Sequence, residues 1–335
     1  MAGHFPFRKV YIEITNRCNL RCSFCPQTLR PARHMTPAEF AHVLDELRNL
    51  TGYICLHVKG EPLAHPELAG LLALAHERGF QVNLTTNGTL LAARGELLLG
   101  KNAPRQVSVS LHSFDANTAA DLSPKASALL SSTGTGRVPG SDPEMPPAMA
   151  RYLSEVTAFA RAYTAQTPGY FSYRLWNLID EKNAALSAQV PANARILRFL
   201  EESYHLTQPI AQAPDRYTGN AIAVRTYVNF DRRFEWPSLT GRDYGEYGSC
   251  YGLRRQLAIL SDGTVIPCCL DGEGAAALGN IFTQPLKEIL ASPAAVRIRE
   301  GFMHSEITHP LCRRCEYRTR FGHDAARGRQ TSLPQ

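Results

Sequence analysis

The chain has 335 residues, of which 44% are hydrophobic and 20% are charged, close to ordinary globular usage. This composition excludes a chain that is disordered throughout, and a formal net charge of +6 is too small to identify nucleic acid as a partner. No apolar run approaches the about 18 residues of a membrane span, and the N-terminus has no apolar signal core. We therefore expect a cytoplasmic protein without a membrane partner.

Strand and helix patterns alternate along the first third of the chain. Residues 8–15 alternate in polarity and predict a strand, and Thr36 and Glu39 have the capping-box spacing that begins a helix reaching about residue 50. The same alternation predicts further strands at 53–58, 81–86 and 106–112, and further helices at 66–78 and 88–100. Short loops between such elements favour βαβ units and a parallel sheet.

The alternation is interrupted at 115–149, a stretch rich in Ser, Thr, Gly and Pro that predicts a flexible insertion. A helix at 150–166, a strand at 170–177, a helix at 191–204 and a strand at 221–228 are predicted after it, so we count about six strand–helix units. Residues 229–249 read as a linker, and residues 256–268 as a hairpin with a Ser-Asp-Gly turn.

Eight of the nine cysteines cluster near the two ends of the chain, which in a reducing compartment predicts metal centres rather than disulfides. Cys18, Cys22 and Cys25 follow the first predicted strand with Cys-x3-Cys-x2-Cys spacing. Three thiolates can each hold one iron of a cubane cluster and leave the fourth iron open to a substrate. Zinc is the alternative, but it needs a fourth ligand and none is obvious nearby.

This spacing, with the aromatic Phe24 before the last cysteine, resembles the radical S-adenosylmethionine (SAM) superfamily. The resemblance implies a [4Fe–4S] cluster on the three cysteines, SAM chelated at the open iron, and a 5′-deoxyadenosyl radical that abstracts hydrogen from a substrate. It also implies an α/β fold, a partial (β/α)6 TIM-like barrel, and an external one-electron reductant of the flavodoxin or ferredoxin type.

Further residues at predicted strand ends match the family's SAM-binding motifs. Lys59-Gly60-Glu61-Pro62 resembles the Gly-Gly-Glu motif, with Lys where the family often has Gly. The resemblance therefore implies a SAM-binding set of Phe24, Gly60, Glu61, Asn87, Ser110, His112 and Arg174, with Arg174 suited to the methionine carboxylate. The structural alternatives are a solvated loop acid for Glu61 and ordinary strand-end hydrogen bonds for Ser110 and Arg174. For Cys55 and His57 we expect core packing.

A second group near the C-terminus consists of Cys250, Cys268, Cys312 and Cys315. Four thiolates can saturate a second [4Fe–4S] cluster, which can then exchange electrons but has no open iron. With Asp262-Gly263 and residues 278–281, the stretch resembles the SPASM/twitch domain of radical SAM enzymes, and we expect one auxiliary cluster; a four-cysteine zinc site is the alternative. The expected division is a barrel at 1–228, an auxiliary-cluster domain at 250–320 and a basic tail at 321–335.

Two residues beside this group are candidate catalytic residues. Neighbouring side chains on an extended chain point to opposite sides, so Cys269 is not expected to share a cluster with Cys268 and can instead donate a hydrogen atom to a substrate radical. Its alternative role is that of a small buried hydrophobic residue. Asp271 is a candidate base, and its alternative role is that of a turn residue before Gly272.

Several functions remain open at this point. The four-thiolate group favours oxidation, a dehydrogenation of a small-molecule or peptide substrate with the auxiliary cluster as electron acceptor. The alternatives are a ribosomal-peptide maturase that crosslinks or epimerises its substrate, a non-catalytic iron–sulfur or zinc protein, and an RNA-modifying enzyme. The RNA alternative depends on the basic residues Arg313, Arg314, Arg318, Arg320, Arg327 and Arg329, for which a solvated edge is favoured over nucleic-acid binding. Residues 234–237 (Phe-Glu-Trp-Pro) either pack the C-terminal domain on the barrel or line a substrate cavity.

Overall fold

One sheet of ten strands runs through the residues that the computed structural model describes, 6–115, 145–178, 190–211 and 219–321. The strands are β1 (Lys9–Ile12), β2 (Tyr53–Cys55), β3 (Gln81–Thr86), β4 (Gln106–Ser110), β5 (Tyr170–Leu178), β6 (Asn220–Ala223), β7 (Thr226–Arg232), β8 (Gln256–Ile259), β9 (Thr264–Ile266) and β10 (Gly279–Asn280). Their order is β10-β9-β8-β1-β2-β3-β4-β5-β7-β6. The run from β8 to β7 is parallel, whereas β6, β9 and β10 pair antiparallel. The parallel run confirms the predicted α/β class.

Helices connect the strands and surround the C-terminal cysteines. They are α1 (Pro37–Leu47), α2 (Leu68–Glu77), α3 (Leu91–Arg94), α4 (His112–Asp115), α5 (Pro147–Gln166), α6 (Val190–Ser203), α7 (Leu286–Ala291), α8 (Pro293–Met303) and α9 (Pro310–Arg313), with 3-10 turns at Pro62–Ala64, Gly95–Leu98 and Glu316–Phe321. The predicted capping box is present at the start of α1, where Glu39 N–H donates to Thr36 Oγ1 (3.2 Å) and Thr36 N–H donates to the Glu39 carboxylate (2.8 Å). None of the helices in these segments is long and apolar enough to cross a bilayer.

The main core lies between the sheet and the helices. Ile12 and Ile54 from β1 and β2 are fully buried with Leu44 from α1 and Leu71 from α2. Side chains alternate across a strand, so Tyr11 and Cys55, the neighbours of Ile12 and Ile54, point to the opposite side of the sheet. There they form a separate small cluster with Val58, Ala258, Leu260 and Ile266. We call this second side the inner face of the sheet.

The prediction of one continuous strand at 221–228 is wrong. This segment is a hairpin of β6 and β7 that reverses at Arg225, a residue with a left-handed φ of 52°. Both strands of a hairpin alternate between polar and apolar residues, so the sequence pattern of 221–228 did not show where the chain turns. β7 also continues to Arg232, into the predicted linker, and the predicted helix at 88–100 is the short α3 followed by a 3-10 turn.

Most of the predicted flexible insertion, residues 116–144, lies outside the described residues, as does the predicted basic tail after Phe321. The end of the insertion is structured, because α5 begins at Pro147 and Met145 and Met149 are buried. β8 pairs in parallel with β1, so the C-terminal segment continues the sheet of the N-terminal one.

Candidate functional site

The three N-terminal cysteines lie in the loop between β1 and α1, at the carboxyl end of the parallel strands. Cys25 N–H donates to the Cys22 carbonyl (2.9 Å), which folds Cys22 and Cys25 into one turn. Asn87 Nδ2, just after β3, is 3.9 Å from Cys18 Sγ, and Cys22 Sγ is 3.8 Å from the Ser113 carbonyl after β4. The loop is therefore held against the ends of two further strands.

Gly60 brings the loop after β2 against this cysteine loop. Its φ is +75°, and a Cβ there would lie 2.2 Å from the Thr15 carbonyl oxygen, a separation that no side chain tolerates. Glu61 N–H donates to the Arg17 carbonyl (2.8 Å), directly before Cys18. Only glycine permits this approach of two backbones.

Glu61 is almost fully buried, so the alternative of a solvated loop acid is wrong. Its carboxylate accepts hydrogen bonds from Thr86 Oγ1 (2.7 Å), Asn87 N–H (2.8 Å) and Leu63 N–H (3.0 Å). Burial raises the pKa of Glu61, and these donors oppose that rise. The side chain thus fastens the end of β3 to the loop after β2 and positions Asn87 beside Cys18.

Phe24 and His112 meet just after β4, which ends at Ser110. The rings of Phe24 and His112 are 4.9 Å apart, and His112 Nδ1 is 3.1 Å from the Arg174 carbonyl oxygen. Ser110 is paired in register with Arg174 on β5. Burial lowers the pKa of His112 to about 4, so its ring is neutral at neutral pH.

The Arg174 side chain lies on the inner face of the sheet. Its Nη1 donates to Thr85 Oγ1 (3.0 Å), and its guanidinium carbon is 3.4 Å from the centroid of the Trp176 ring. Burial lowers its pKa. Within the described part of the chain Arg174 takes part in no ion pair, and a buried charge without a counter-ion is costly. The arrangement suits an incoming carboxylate.

His57 is a site candidate that the sequence analysis assigned to core packing. Its Nδ1 is buried and has no hydrogen-bond partner among the residues that the structure describes, and its ring meets Tyr11 edge-on at 5.4 Å. Burial, and next the charge of Arg174, lower its pKa to about 3. The one available indication in the sequence was that His57 lies two residues after Cys55, which is buried on β2. This position alone does not distinguish a core histidine from one that faces a ligand.

The four C-terminal cysteines Cys250, Cys268, Cys312 and Cys315 line a single cavity together with apolar residues that include Phe302 and Leu311. Burial raises the pKa of all four thiols, and for Cys268 and Cys312 the neighbouring thiols add to it. Over the described ranges, no group of three or more Cys, His, Asp or Glu side chains is arranged to hold a single metal ion. What the four cysteines share is one cavity.

Cys269 and Cys268 point in opposite directions, as the alternation predicts. Cys268 lines the cavity, whereas Cys269 packs against the Tyr11 and Cys55 cluster on the inner face. Asp271 also lines the cavity, but its carboxylate accepts hydrogen bonds from Ala275 N–H and Ala276 N–H, both at 2.8 Å. These contacts favour the interpretation of Asp271 as a turn residue.

A buried carboxylate that the sequence analysis missed joins the two cysteine regions. Glu13 after β1 forms an ion pair with Arg30 at 2.7 Å, and the two side chains are 0% and 12% exposed. Glu13 also accepts from Ser261 Oγ (2.9 Å) and from Lys59 N–H (3.2 Å), and Arg30 Nε donates to the Gly272 carbonyl (2.9 Å). The cysteine loop is thereby tied to the loop after Cys269.

Lys59 and Trp236 form a second connection. Lys59 Nζ donates to the Pro26 carbonyl (2.8 Å), lies 3.9 Å from Cys25 Sγ, and sits 4.1 Å from the Trp236 ring centroid. Phe234 contacts Tyr317 (5.0 Å), and Pro237 lines the C-terminal cavity. Residues 234–237 therefore pack the C-terminal segment against the cysteine loop.

The basic residues near the C-terminus are used within the chain. Arg318 is buried and donates to the carbonyls of Cys312 (2.7 Å) and Tyr247 (3.0 Å), and Arg320 pairs with Asp231 at 2.8 Å. Arg313 pairs with Asp243 at 2.9 Å, and Arg314 Nη1 donates to the Pro310 carbonyl (3.2 Å). Arg318 and Arg320 are therefore held within the fold, whereas Arg313 and Arg314 remain partly exposed. Arg327 and Arg329 lie outside the described residues.

Comparison with known proteins identifies both cysteine regions. Residues 12–128 match the model of the radical SAM superfamily, and residues 250–316 match SPASM, an iron–sulfur cluster-binding domain. The PqqA peptide cyclase of Streptomyces rochei is 36% identical over 108 residues, which are 31% of this chain and 29% of that protein. The AdoMet-dependent heme synthase of Methanosarcina barkeri is 32% identical over 114 residues, 33% of each chain. The match thus spans a third or less of these relatives' length.

Solved structures show the same fold. Native anSMEcpe with bound AdoMet has a TM-score of 0.55 at 14% identity, with 94% of this chain and 88% of that chain covered. Streptococcus suis SuiB bound to S-adenosylmethionine has a TM-score of 0.50 at 15% identity, with 88% and 68% covered. Residues 12–128 therefore form a radical SAM domain and residues 250–316 a SPASM domain, and domains of these two families bind SAM and [4Fe–4S] clusters.

Proposed function

We propose that this enzyme oxidises its substrate by dehydrogenation, with an auxiliary cluster as the electron acceptor. The observation that supports the proposal is the single cavity lined by Cys250, Cys268, Cys312 and Cys315. Four thiolates complete the ligation of a [4Fe–4S] cluster, which leaves it able to exchange an electron but not to bind a substrate at an open iron.

The match of residues 250–316 to SPASM, an iron–sulfur cluster-binding domain, favours a cluster over zinc. A zinc ion requires its four sulfurs at about 2.3 Å from one point. A cubane holds its four thiolates further apart, at separate irons. We therefore assign these four cysteines to one auxiliary [4Fe–4S] cluster.

We assign Cys18, Cys22 and Cys25 to the cluster that binds SAM. When bound, this cluster and SAM supply a 5′-deoxyadenosyl radical that abstracts hydrogen, and the auxiliary cluster supplies an electron acceptor. Gly60 gives the backbone room beside the cysteine loop, and Glu61 orients Asn87 against Cys18.

The SAM-binding assignment is the set Phe24, Gly60, Glu61, Asn87, Ser110, His112 and Arg174. Phe24 and neutral His112 form an apolar wall beside the cysteine loop. Arg174 offers a buried cation for a carboxylate. Neutral His57, whose Nδ1 has no hydrogen-bond partner among the described residues, is free to accept a hydrogen bond on the inner face, whereas the carboxylate of Asp271 is already occupied by two backbone donors.

A peptide maturase is the second candidate. It is supported by the relatives named PqqA peptide cyclase and by the similarity to anSMEcpe with bound AdoMet and the Kp18Cys peptide, with a TM-score of 0.55. In that case the inner face would receive a peptide side chain, and Cys269 on the same face is placed to donate a hydrogen atom in an epimerisation.

A deuterium-transfer assay tests both candidates. The cluster-loaded enzyme is incubated anaerobically with SAM, a one-electron reductant, and either the small-molecule or the peptide fraction of a deuterated cell extract. We expect deuterated 5′-deoxyadenosine with one fraction only, and a product two hydrogens poorer that reacts with a hydrazide, because oxidation of an alcohol or amine carbon gives a carbonyl. A product from the peptide fraction that does not react with hydrazide would support crosslinking and contradict the oxidation proposal.

A measurement of iron, sulfide and zinc per chain is the control for the assignment of the cysteines to two clusters. The wild type should hold about eight iron and eight sulfide per chain, and the Cys18/Cys22/Cys25→Ala variant about four of each. About four iron and one zinc in the wild type would remove the proposed electron acceptor.

A further inference from the structure

We propose that Lys59 raises the reduction potential of the N-terminal cluster through its positive charge, which Trp236 and Gly272 hold in place. The proposal rests on the assignment of that cluster to Cys18, Cys22 and Cys25. Sequence comparison marked Lys59 only as a departure from the Gly-Gly-Glu motif, and the structure gives this departure a location.

The Lys59 ammonium group lies beside a cluster ligand. Its Nζ is 3.9 Å from Cys25 Sγ and donates to the Pro26 carbonyl at 2.8 Å. The residue is only 7% exposed. Across the described segments it forms no ion pair. The acids whose charges act on it are Glu273 and, more weakly, Glu13, whose carboxylate is engaged by Arg30 and Ser261.

The side chain has little freedom to leave this position. Its ammonium faces the Trp236 ring at 4.1 Å, a geometry that attracts a cation. Its stem lies so close to Gly272 that a Cβ on that glycine would come within 2.5 Å of Lys59 Cε. Lys59 is thus clamped between the cysteine loop and the SPASM segment.

A fixed positive charge near a cluster stabilises the reduced state, which carries one more negative charge. Iron–sulfur potentials depend on the net charge around the cluster and on hydrogen bonds to its sulfurs. Charge interactions are also stronger in a buried, low-dielectric site than in water. Removal of the Lys59 charge should therefore make the cluster harder to reduce.

A redox titration of the cluster-loaded full-length chain, without SAM, tests the proposal. The reduced-cluster signal is followed by electron paramagnetic resonance, and the Cys18/Cys22/Cys25→Ala variant identifies the auxiliary signal to be subtracted. For Lys59→Met we expect an approximately tenfold smaller ratio of reduced to oxidised N-terminal cluster at a fixed potential, about 59 mV for a one-electron couple. Lys59→Arg should stay near the wild type, and the auxiliary potential should not change.

Lys9→Met is the matched control, because Lys9 also faces an aromatic ring, Tyr11 at 5.0 Å, but lies at the other end of β1. It should leave the N-terminal potential unchanged. An unchanged potential in Lys59→Met at full iron content would overturn the proposal, as would a shift in Lys59→Arg equal to that in Lys59→Met. If the Lys59→Met variant fails to load the N-terminal cluster, the neutral Lys59→Gln variant is titrated in its place. The same results, an unchanged potential or an equal shift in Lys59→Arg, would then overturn the proposal. Absence of the N-terminal cluster from the wild type would instead refute the cluster assignment.

Discussion

Replacement of Glu13 by Gln should destabilise the fold far more than its conservative chemistry suggests. The Glu13 carboxylate is fully buried and accepts from Arg30 Nη2 through both oxygens at 2.7 Å, as well as from Ser261 and Lys59. A glutamine has one acceptor oxygen and an NH2 group that would face these donors. Removal of one partner from a buried ion pair costs about 3–5 kcal/mol, because the other charge is left uncompensated.

The control is Glu155→Gln. Glu155 pairs with Arg151 at 3.0 Å on α5, with the two side chains 28% and 41% exposed, and such exposed helix pairs contribute about 0.3–0.5 kcal/mol. At about 2–4 °C per kcal/mol for large domains, we expect Glu13→Gln to lower the anaerobic Tm of the cluster-loaded chain by roughly 10 °C, and Glu155→Gln by about 2 °C or less.

A double-mutant cycle separates the pair from the rest of the network. Arg30→Met alone should be strongly destabilising, but in the Glu13→Gln background it should cost much less, since the unpaired buried cation is then gone. If Glu13→Gln lowers the Tm no more than Glu155→Gln does, the inference that this buried pair fastens the cysteine loop to the SPASM segment is wrong.

Three further outcomes follow from the site. Gly60→Ala should lose the iron of the N-terminal cluster but keep that of the auxiliary cluster in a metal analysis, because its Cβ would collide with the Thr15 carbonyl; full iron content would contradict this. Cys268→Ser should lose the auxiliary iron whereas Cys269→Ser keeps it, since the two thiols lie on opposite sides of the chain; equal losses would show that both are ligands. The pKa of His57 is lowered to about 3, so neutral His57 contributes stability above its unfolded pKa of about 6.5 that is lost as pH falls toward 3. His57→Asn should therefore show a smaller drop in Tm than the wild type between pH 7.5 and pH 5, and parallel Tm curves would argue against a buried neutral imidazole.

Features set by neighbouring residues could be predicted from the sequence. The capping box of α1 and the hairpin of β8 and β9 depend on contacts within a few residues. The opposite orientation of Cys268 and Cys269 was predicted from the two-residue period of an extended chain, but the structure achieves it with a bend and a turn after β9. The spacing of Cys18, Cys22 and Cys25 limits how far apart three thiolates can lie on one loop, and the resemblance of this spacing to that of the radical SAM superfamily implied SAM and [4Fe–4S] clusters as cofactors.

Other features depend on which distant segments the fold brings together. Glu13 meets Ser261 across 248 positions of sequence, and Lys59 meets Trp236 and Gly272 because β8 adds to the sheet beside β1. Arg318 resembled a surface cation in the sequence, yet it is buried against backbone carbonyls of its own domain. Composition and periodicity record whether a side chain can be buried and on which side of its strand it lies. Only the tertiary structure decides which donor, acceptor or charge it meets there, because that partner is set by the order and direction of the strands.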